Sequence, residues 1–368
     1  MNETIRIGVD TSKSVFQLHG VDAAEQPVLR RKLRRRDFLT FFERLPATKV
    51  GLEACGGSHH WARQLQALGH EVRLLPPQHV KPYVRRNKND RNDADAICEA
   101  MSRPRMTFVA IKTAEQQAAQ MLMTTRERLV TYRTQLINTI RGHAAEFGLT
   151  AAQGPAHVEP LLARIADDAT VPELARELFA MHGQEYGRLK LQLREIEAKL
   201  KAWHRQNETS RRLAEVDAIG LIGGCLLTIK VADPKAFRCG RDFAAWMGLT
   251  PKDHSTAGKM RLGVITRAGD EALRRTLVLG ATSVIKQVRS AKVIPSPWLR
   301  DLVARKPPKL AAVALANKVA RIAWKLMVSG ERYNAARAGI LAPRPTVAPC
   351  SPRQGRSAPP AAVASGQP

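Results

Sequence analysis

The chain has 368 residues, which at roughly 150 residues per domain implies two or three folded units and excludes a disulfide-stapled miniature. Lys and Arg number 59 against 33 Asp and Glu, a formal charge of +26 that points to a polyanion, nucleic acid first, as the partner. Hydrophobic residues at 44% and charged residues at 25% are ordinary for folded proteins, so the charge is spread over domains rather than confined to one basic tail.

Charges at Glu3, Arg6, Asp10 and Lys13 interrupt the start, so secretion is not expected. The longest uncharged apolar run, 218–229, is broken by glycines and falls well short of the roughly 18 residues that span a bilayer, so no membrane association is expected. Cys55, Cys98, Cys225, Cys239 and Cys350 are odd in number, scattered and without a CxxC pair, which reads as reduced thiols of a cytoplasmic protein, nucleoid-associated when on DNA.

Ile5, Ile7 and Val9 alternate with polar neighbours, 15–18 follows a Ser-Lys-Ser turn, and 28–33 forms a third run; three hairpin-linked strands open the chain. Asp37 begins an amphipathic stretch through Phe38, Phe41, Phe42 and Leu45, stopped by Pro46. A strand over 50–53, a helix over about 58–68, a strand over 71–75 closed by Pro76 and Pro77, and a helix opening near Asp90 complete the order βββαβαβα. That order is the one of a ribonuclease-H-like mixed sheet.

From about 113 to 204 the pattern turns helical. Leu189, Leu193, Ile196, Leu200 and Trp203 follow the a/d spacing of a coiled coil, Leu122, Leu129 and Leu136 mark an earlier partner helix, and 148–172 is a loop-rich reversal. An antiparallel arm or a dimer zipper satisfies this seam, and so do two ordinary core-packed helices. Residues 211–332 read as a compact, mainly helical, glycine-rich region, and beyond Ala342 Pro, Ala, Ser, Gly and Arg predict disorder. The expected division is an α/β domain over 1–112, a helical coiled-coil arm over 113–205, a mainly helical domain over 206–335 and a tail over 336–368.

Four carboxylates belong together on this reading. Asp10 and Glu53 end the first and fourth strands, which are neighbours in such a sheet, and Asp90 and Asp93 head the helix expected to pack across them. Crowded carboxylates take up protons unless cations sit among them, and hard oxygen donors suit Mg²⁺ or Mn²⁺. Two such ions activate an attacking oxygen and stabilise a leaving oxygen in phosphodiester cleavage. The bland readings are an N-cap for Asp90, a dipole-favouring third position for Asp93, and surface positions for His59 and His60; Asp95 rivals Asp93 as a ligand. Arg85, Arg86 and Lys88 flank the cluster as phosphate contacts.

Further on, 248–275 carries a loop around Ser255, Thr256 and Gly258 and then a helix from Asp270, with Lys259, Arg261, Arg267, Arg274 and Arg275 nearby. A hydroxyl there attacks phosphorus only with a base, a metal or a stabilised transition state; a plain turn residue is the alternative. Residues 217–223 read either as the hairpin of a helix-hairpin-helix module or as a tight helix-helix turn. Lys318 and Arg321 line one face of a helix, for phosphate contact or solvent.

The segments IGVDTSK, GLEACGG and KNDRNDADA resemble the RuvC-like domain of the DEDD transposases of bacterial insertion sequences, and GLTPKDHSTAGKMRLGVITRAGDEALRR resembles their C-terminal transposase domain. The resemblance covers nearly everything from Ile5 to about Tyr333. It implies a transposase and site-specific recombinase, guided by a structured bridge RNA that pairs with donor and target DNA. The acidic quartet maps onto Asp10, Glu53, Asp90 and Asp93, and a nucleophilic serine, forming a transient phosphoserine link, onto Ser255. A homo-oligomer, from dimer to tetramer, with active sites shared through the arm is also implied. Relatives often carry two serines where this chain has Ser255-Thr256, so which hydroxyl attacks stays open. Two other readings remain: a metal-dependent junction nuclease using water, with Ser255 structural, and a non-catalytic nucleic-acid-binding remnant of a transposon.

Overall fold

The computed structural model describes residues 4–84, 90–256, 258–259 and 261–342, with backbone alone at 90, 91 and 338. Strands β1 (Arg6–Thr11), β2 (Val15–Val21), β3 (Pro27–Arg34), β4 (Lys49–Glu53) and β5 (Glu71–Leu75) form one mixed sheet in the order β3-β2-β1-β4-β5. The first three strands pair antiparallel, whereas β1–β4 and β4–β5 are parallel. Because side chains alternate across a strand, Ile7, Val9, Phe16, Leu18, Leu33, Val50 and Leu52 share one buried face. Helices α1 (Phe38–Glu43) and α2 (Ser58–Ala67) cover it. There Phe16, Phe38, Phe42 and Trp61 meet edge to face, with centroids 4.6 to 5.2 Å apart. A short helix α3 (Pro77–Val80) and helix α4 (Asp90–Ala100) lie on the other face, over Leu75 and Gly51.

Two long helices leave this domain and return. α5 (Ala114–Glu146) starts at a capping box in which Thr113 accepts from the Gln116 backbone and Gln116 reaches back, and α7 (Glu173–Gln206) packs along it. Leu189, Leu193 and Leu200 are buried, while Ile196 and Trp203 are half-buried, so the seam closes within the chain. On α5 the buried positions are Ala119, Met123, Ile137, Ile140 and Ala144, with Leu122, Leu129 and Leu136 only half-buried. The expected loop reversal contains a helix, α6 (Val158–Asp167), which buries Val158, Leu161 and Ile165 against α5 and α7. Pro160 disguises it, although a proline in a first turn lacks only an N–H that has no partner there anyway.

The remaining helices are α8 (Glu208–Ala214), α9 (Leu221–Lys230), α10 (Gly240–Trp246), α11 (Glu271–Arg289), α12 (Pro297–Arg305), α13 (Pro308–Ser329) and α14 (Ala335–Ala338). They surround a core of Leu213, Leu227, Phe243, Leu277, Leu315 and Val319 that also takes in Ala119 and Met123 of α5 and Leu200 of α7. Both arm helices are therefore rooted in it. The serine segment, expected as a flexible loop, is a β-hairpin of β6 (Pro251–Asp253) and β7 (Leu262–Ile265). Residues 336–342, assigned from sequence to the tail, are ordered: Ile340 is fully buried and accepts from the Ser296 N–H at 3.1 Å. The disorder expected beyond them falls outside the described residues. Among the described residues no helix is long and apolar enough to cross a membrane.

A polar joint ties the sheet domain to the root of the arm. His59 Nδ1 accepts the Lys112 N–H at 3.2 Å, Arg63 donates to the Lys112 carbonyl at 2.6 Å and to Gln117 at 2.7 Å, and Lys112 Nζ donates to Gln120 at 2.6 Å.

Candidate active site at the sheet edge

Asp10 and Glu53 reach the same edge through register. Gly8 pairs with Gly51 and Val9 with Leu52 across parallel strands, so Asp10 and Glu53 follow as neighbours, about 5 Å apart along the backbone-pairing direction. Each lies two residues beyond a glycine, hence on that glycine's face. An added Cβ at Gly8 would stand 2.3 Å from the Ala94 carbonyl and 2.5 Å from the Cys98 nitrogen; at Gly51 it would meet Met101 Sδ at 2.8 Å and Ile97 at 3.1 Å. Only strands stripped of side chains at these two positions let α4 press so closely onto the sheet.

The helix runs antiparallel to β1, because Arg6 Nε donates to the Cys98 carbonyl at 2.9 Å while Ala94 crosses Gly8. Its first turn therefore overlies the strand ends. Asp93 shares a helical row with Ile97 and Met101, which cross β4, and so faces the Glu53 side. Asp90 stands on the row of Ala94 and Cys98, which crosses β1; its side chain lies outside the described residues, as do Arg85, Arg86 and Lys88. Asp95 lies 3.3 Å from Nε2 of the buried His19. Asp10, Glu53 and Asp93 are all half-buried.

Among the described residues no group of three or more His, Cys, Asp or Glu side chains closes up tightly enough to hold an ion. The chemistry of the donors nevertheless fits one: half-exposed carboxylate oxygens are the ligands of hard divalent cations. His59 is no ligand, since its Nδ1 is engaged by the Lys112 N–H. The glycine two positions before each strand-end acid, in IGVD and VGLE, is the signal the sequence reading passed over.

Ser255 stands on a separate element, beside the tip of the β6–β7 hairpin. Thr256 and Lys259 close the tip by exchanging backbone bonds of 3.3 and 2.9 Å around Gly258 at φ +78°. Asp253 Oδ1 accepts the Ser255 N–H at 2.8 Å, and Ser255 Oγ accepts the Arg261 N–H at 3.1 Å. Hydrogen bonding from Ser255, side chain first and then backbone N–H, holds the Asp253 carboxyl below its usual range. The hairpin base is pinned by two glycines of positive φ. A Cβ at Gly269 would lie 1.7 Å from the Trp246 carbonyl, and one at Gly248 2.4 Å from that of Ala268.

The remaining basic residues divide between surface and scaffold. Lys259, Arg261, Arg267 and Arg321 are exposed. Arg274 clamps the hairpin base through the Met247 and Ala268 carbonyls at 3.0 and 2.8 Å, and Arg275 pairs with Glu127 of α5. Lys318 donates to the Gly339 carbonyl at 2.8 Å and lies 4.0 Å from the Trp298 ring centroid, so its ammonium holds the C-terminal segment. Residues 217–220 lie in the α8–α9 connection, packed on α11, where Gly280 makes room for the Ala218 carbonyl and Tyr333 donates to Asp217 at 2.8 Å.

Comparison with known proteins matches two stretches of the chain to transposase families. Residues 7–147 match a DEDD-type model described as "Transposase", and residues 210–294 match the "Transposase IS116/IS110/IS902 family". The "Putative transposase y4pF/y4sB" of Sinorhizobium fredii is 62% identical over 337 residues, 91% of this chain and 87% of that one. The "Probable family 20 transposase" of Pseudomonas aeruginosa is 45% identical over 88% of this chain and 96% of its own. The "Transposase for insertion sequence element IS1111A" of Coxiella burnetii is 39% identical over 89% and 90%.

Proposed function

The chain belongs to the IS116/IS110/IS902 family of insertion-sequence transposases, and from that premise we propose that it cuts and rejoins DNA with an acidic quartet, a divalent metal and a serine nucleophile. On this reading residues 1–112 are a RuvC-like catalytic domain, 113–205 the arm and 206–335 the serine-bearing domain. Asp10, Glu53, Asp90 and Asp93 would hold Mg²⁺, with Mn²⁺ as a substitute, and a cation held there would supply positive charge to offset that of the phosphate.

The chain's own residues do the rest. The glycine-seated α4 keeps the acids of two strands and one helix at a single edge, and this observation supports the reading most. The hairpin presents Ser255, whose Oγ forms a bond to phosphorus as the bond to the leaving DNA oxygen breaks; the hydroxyl proton passes to a base or to solvent. The Arg261 N–H already directed at Oγ favours the charge developing there. A phosphoserine link retains the phosphodiester's energy for rejoining. Exposed Lys259, Arg261, Arg267 and Arg321, together with Arg85, Arg86 and Lys88, meet phosphates. A bridge RNA pairs with donor and target and supplies sequence selection, and the protein works as a dimer or tetramer.

The test is to purify the protein with its co-expressed RNA, incubate it with donor and target DNA plus Mg²⁺, trap the protein–DNA adduct and map it. An adduct at Ser255, lost in Ser255→Ala, is expected. The Arg261 bond to Ser255 Oγ also suits a purely structural serine. Cleavage that persists in Ser255→Ala without any adduct would establish the water-using nuclease instead.

A further inference from the structure

β3 is an edge strand, paired only to β2, and with the turn that follows it carries Arg30, Arg31, Lys32, Arg34, Arg35 and Arg36, six cations in seven consecutive positions. All six are exposed; Leu33 between them is buried. Alternation sorts them. Arg31 lies 5.3 Å from the Phe41 ring and Arg35 4.9 Å from the Trp61 ring, on the face covered by α1 and α2. Arg30, Lys32 and Arg34 point to the opposite face, the one that carries the acids. Among the described residues none of these three enters an ion pair.

Register connects this strip to the acids. Lys32 pairs with Gln17, Gln17 with Asp10, and Glu53 follows on β4, so one cross-strand row runs from the basic edge to the carboxylates. Arg30 stands in the adjacent row with His19 and Gly8, and Arg34 opposite Val15. Lys32 is thus two strands, about 10 Å, from Asp10, with Gln17 between them in the row. Successive cations on this face are about 6.7 Å apart, comparable to neighbouring phosphates on an extended strand. Lysines on edge strands also deter sheet-to-sheet association, but one or two suffice for that, and a graded row leading to acids is not needed.

We propose that Arg30, Lys32 and Arg34 form a rail for the phosphodiester backbone of the DNA strand whose scissile phosphate lies at Asp10 and Glu53. The inference rests on the reading that those carboxylates cut DNA. A DNA strand is the occupant because the row ends where a DNA phosphodiester must be placed; guide RNA has no cause to end there.

The rail is tested on the full chain, free of RNA and in EDTA, by anisotropy of labelled DNA across a salt series. The triple variant Arg30→Gln, Lys32→Gln, Arg34→Gln is expected to bind at least ~10-fold more weakly near ~0.1 M salt, with a log–log salt slope shallower by about two to three, one per lost contact. Should the triple variant fold poorly by thermal unfolding, the single Lys32→Glu carries the test, with a slope shallower by about one. An unchanged slope with affinity within about twofold would overturn the rail, and a parallel titration with labelled guide RNA in which alone the slope became shallower would make the strip an RNA surface. Asp10→Asn separates this from the catalytic reading. It should bind DNA no more weakly than the unmodified protein, since a negative charge is lost, and if the RNA-loaded unmodified protein does not cut DNA in Mg²⁺ while the rail variants still lose binding, the catalytic reading fails and the rail's DNA-binding role stands.

Discussion

Gly8 is the residue on which the acidic edge most depends. A methyl group there would stand 2.3 Å from the Ala94 carbonyl, a backbone atom that moves only if α4 tilts. Gly8→Ala is therefore expected to cost about 1–3 kcal/mol, read from the denaturant midpoint, and to abolish DNA cutting in the protein that still folds. Cutting at the original rate would show that the acids do not need this seat. Gly51→Ala meets the movable end of Met101 instead, and should cost less than about 1.5 kcal/mol. At the hairpin, Asp253 is exposed, so Asp253→Ala should leave global stability unchanged. It removes the acceptor of the Ser255 N–H, and adduct formation should slow, with Asp253→Asn recovering part of the rate by keeping Oδ1. Equal adduct rates in all three proteins would rule out a positioning role for Asp253.

Between elements, the most sensitive contact is the joint where α2 meets the segment entering α5. Burial, then the charges of Lys112 and Arg63, push His59 down to about 4 from 6.5. The unfolded chain thus binds a proton that the folded joint refuses. The joint's contribution is complete above about pH 6.5, drains as pH falls towards about 4, and amounts to at most about 2 kcal/mol once solvent screening at this half-exposed site is allowed for. Chemical denaturation between about pH 7.5 and 4.5 should show a flatter pH dependence for His59→Gln than for the unmodified protein, and parallel curves would contradict this. Legibility in the sequence followed burial. β1, β2 and β4 alternate or run apolar because helices pack on both faces of the sheet there, and they were readable as strands. β6 and β7 are short, and Leu262 and Val264 are 59% and 69% exposed, so no inside–outside contrast marked them as strands. The carboxylate edge was readable from strand order, whereas its cause, two glycines seating a helix, emerges only when the helix is in place. Lys318 and Arg274 looked like phosphate contacts because sequence carries charge but not direction; the fold turns both towards backbone carbonyls.

For the whole molecule, a formal charge of +26 sets the response to salt. With six or more phosphates neutralised, affinity for DNA should fall on the order of 10³-fold or more between about 50 and 200 mM salt, measurable by filter binding; a flat response would remove the case for polynucleotide binding. The arm has a separate consequence. Its helices of 33 and 34 residues extend about 50 Å, and both are set at their roots into the apolar core that also holds α9 and α13. Such an anchorage makes the arm a beam rather than a tether: a swing of about 5° at the root carries the far end by roughly 4 Å. Whatever grips the far end therefore exerts torque on the core that holds α9 and α13.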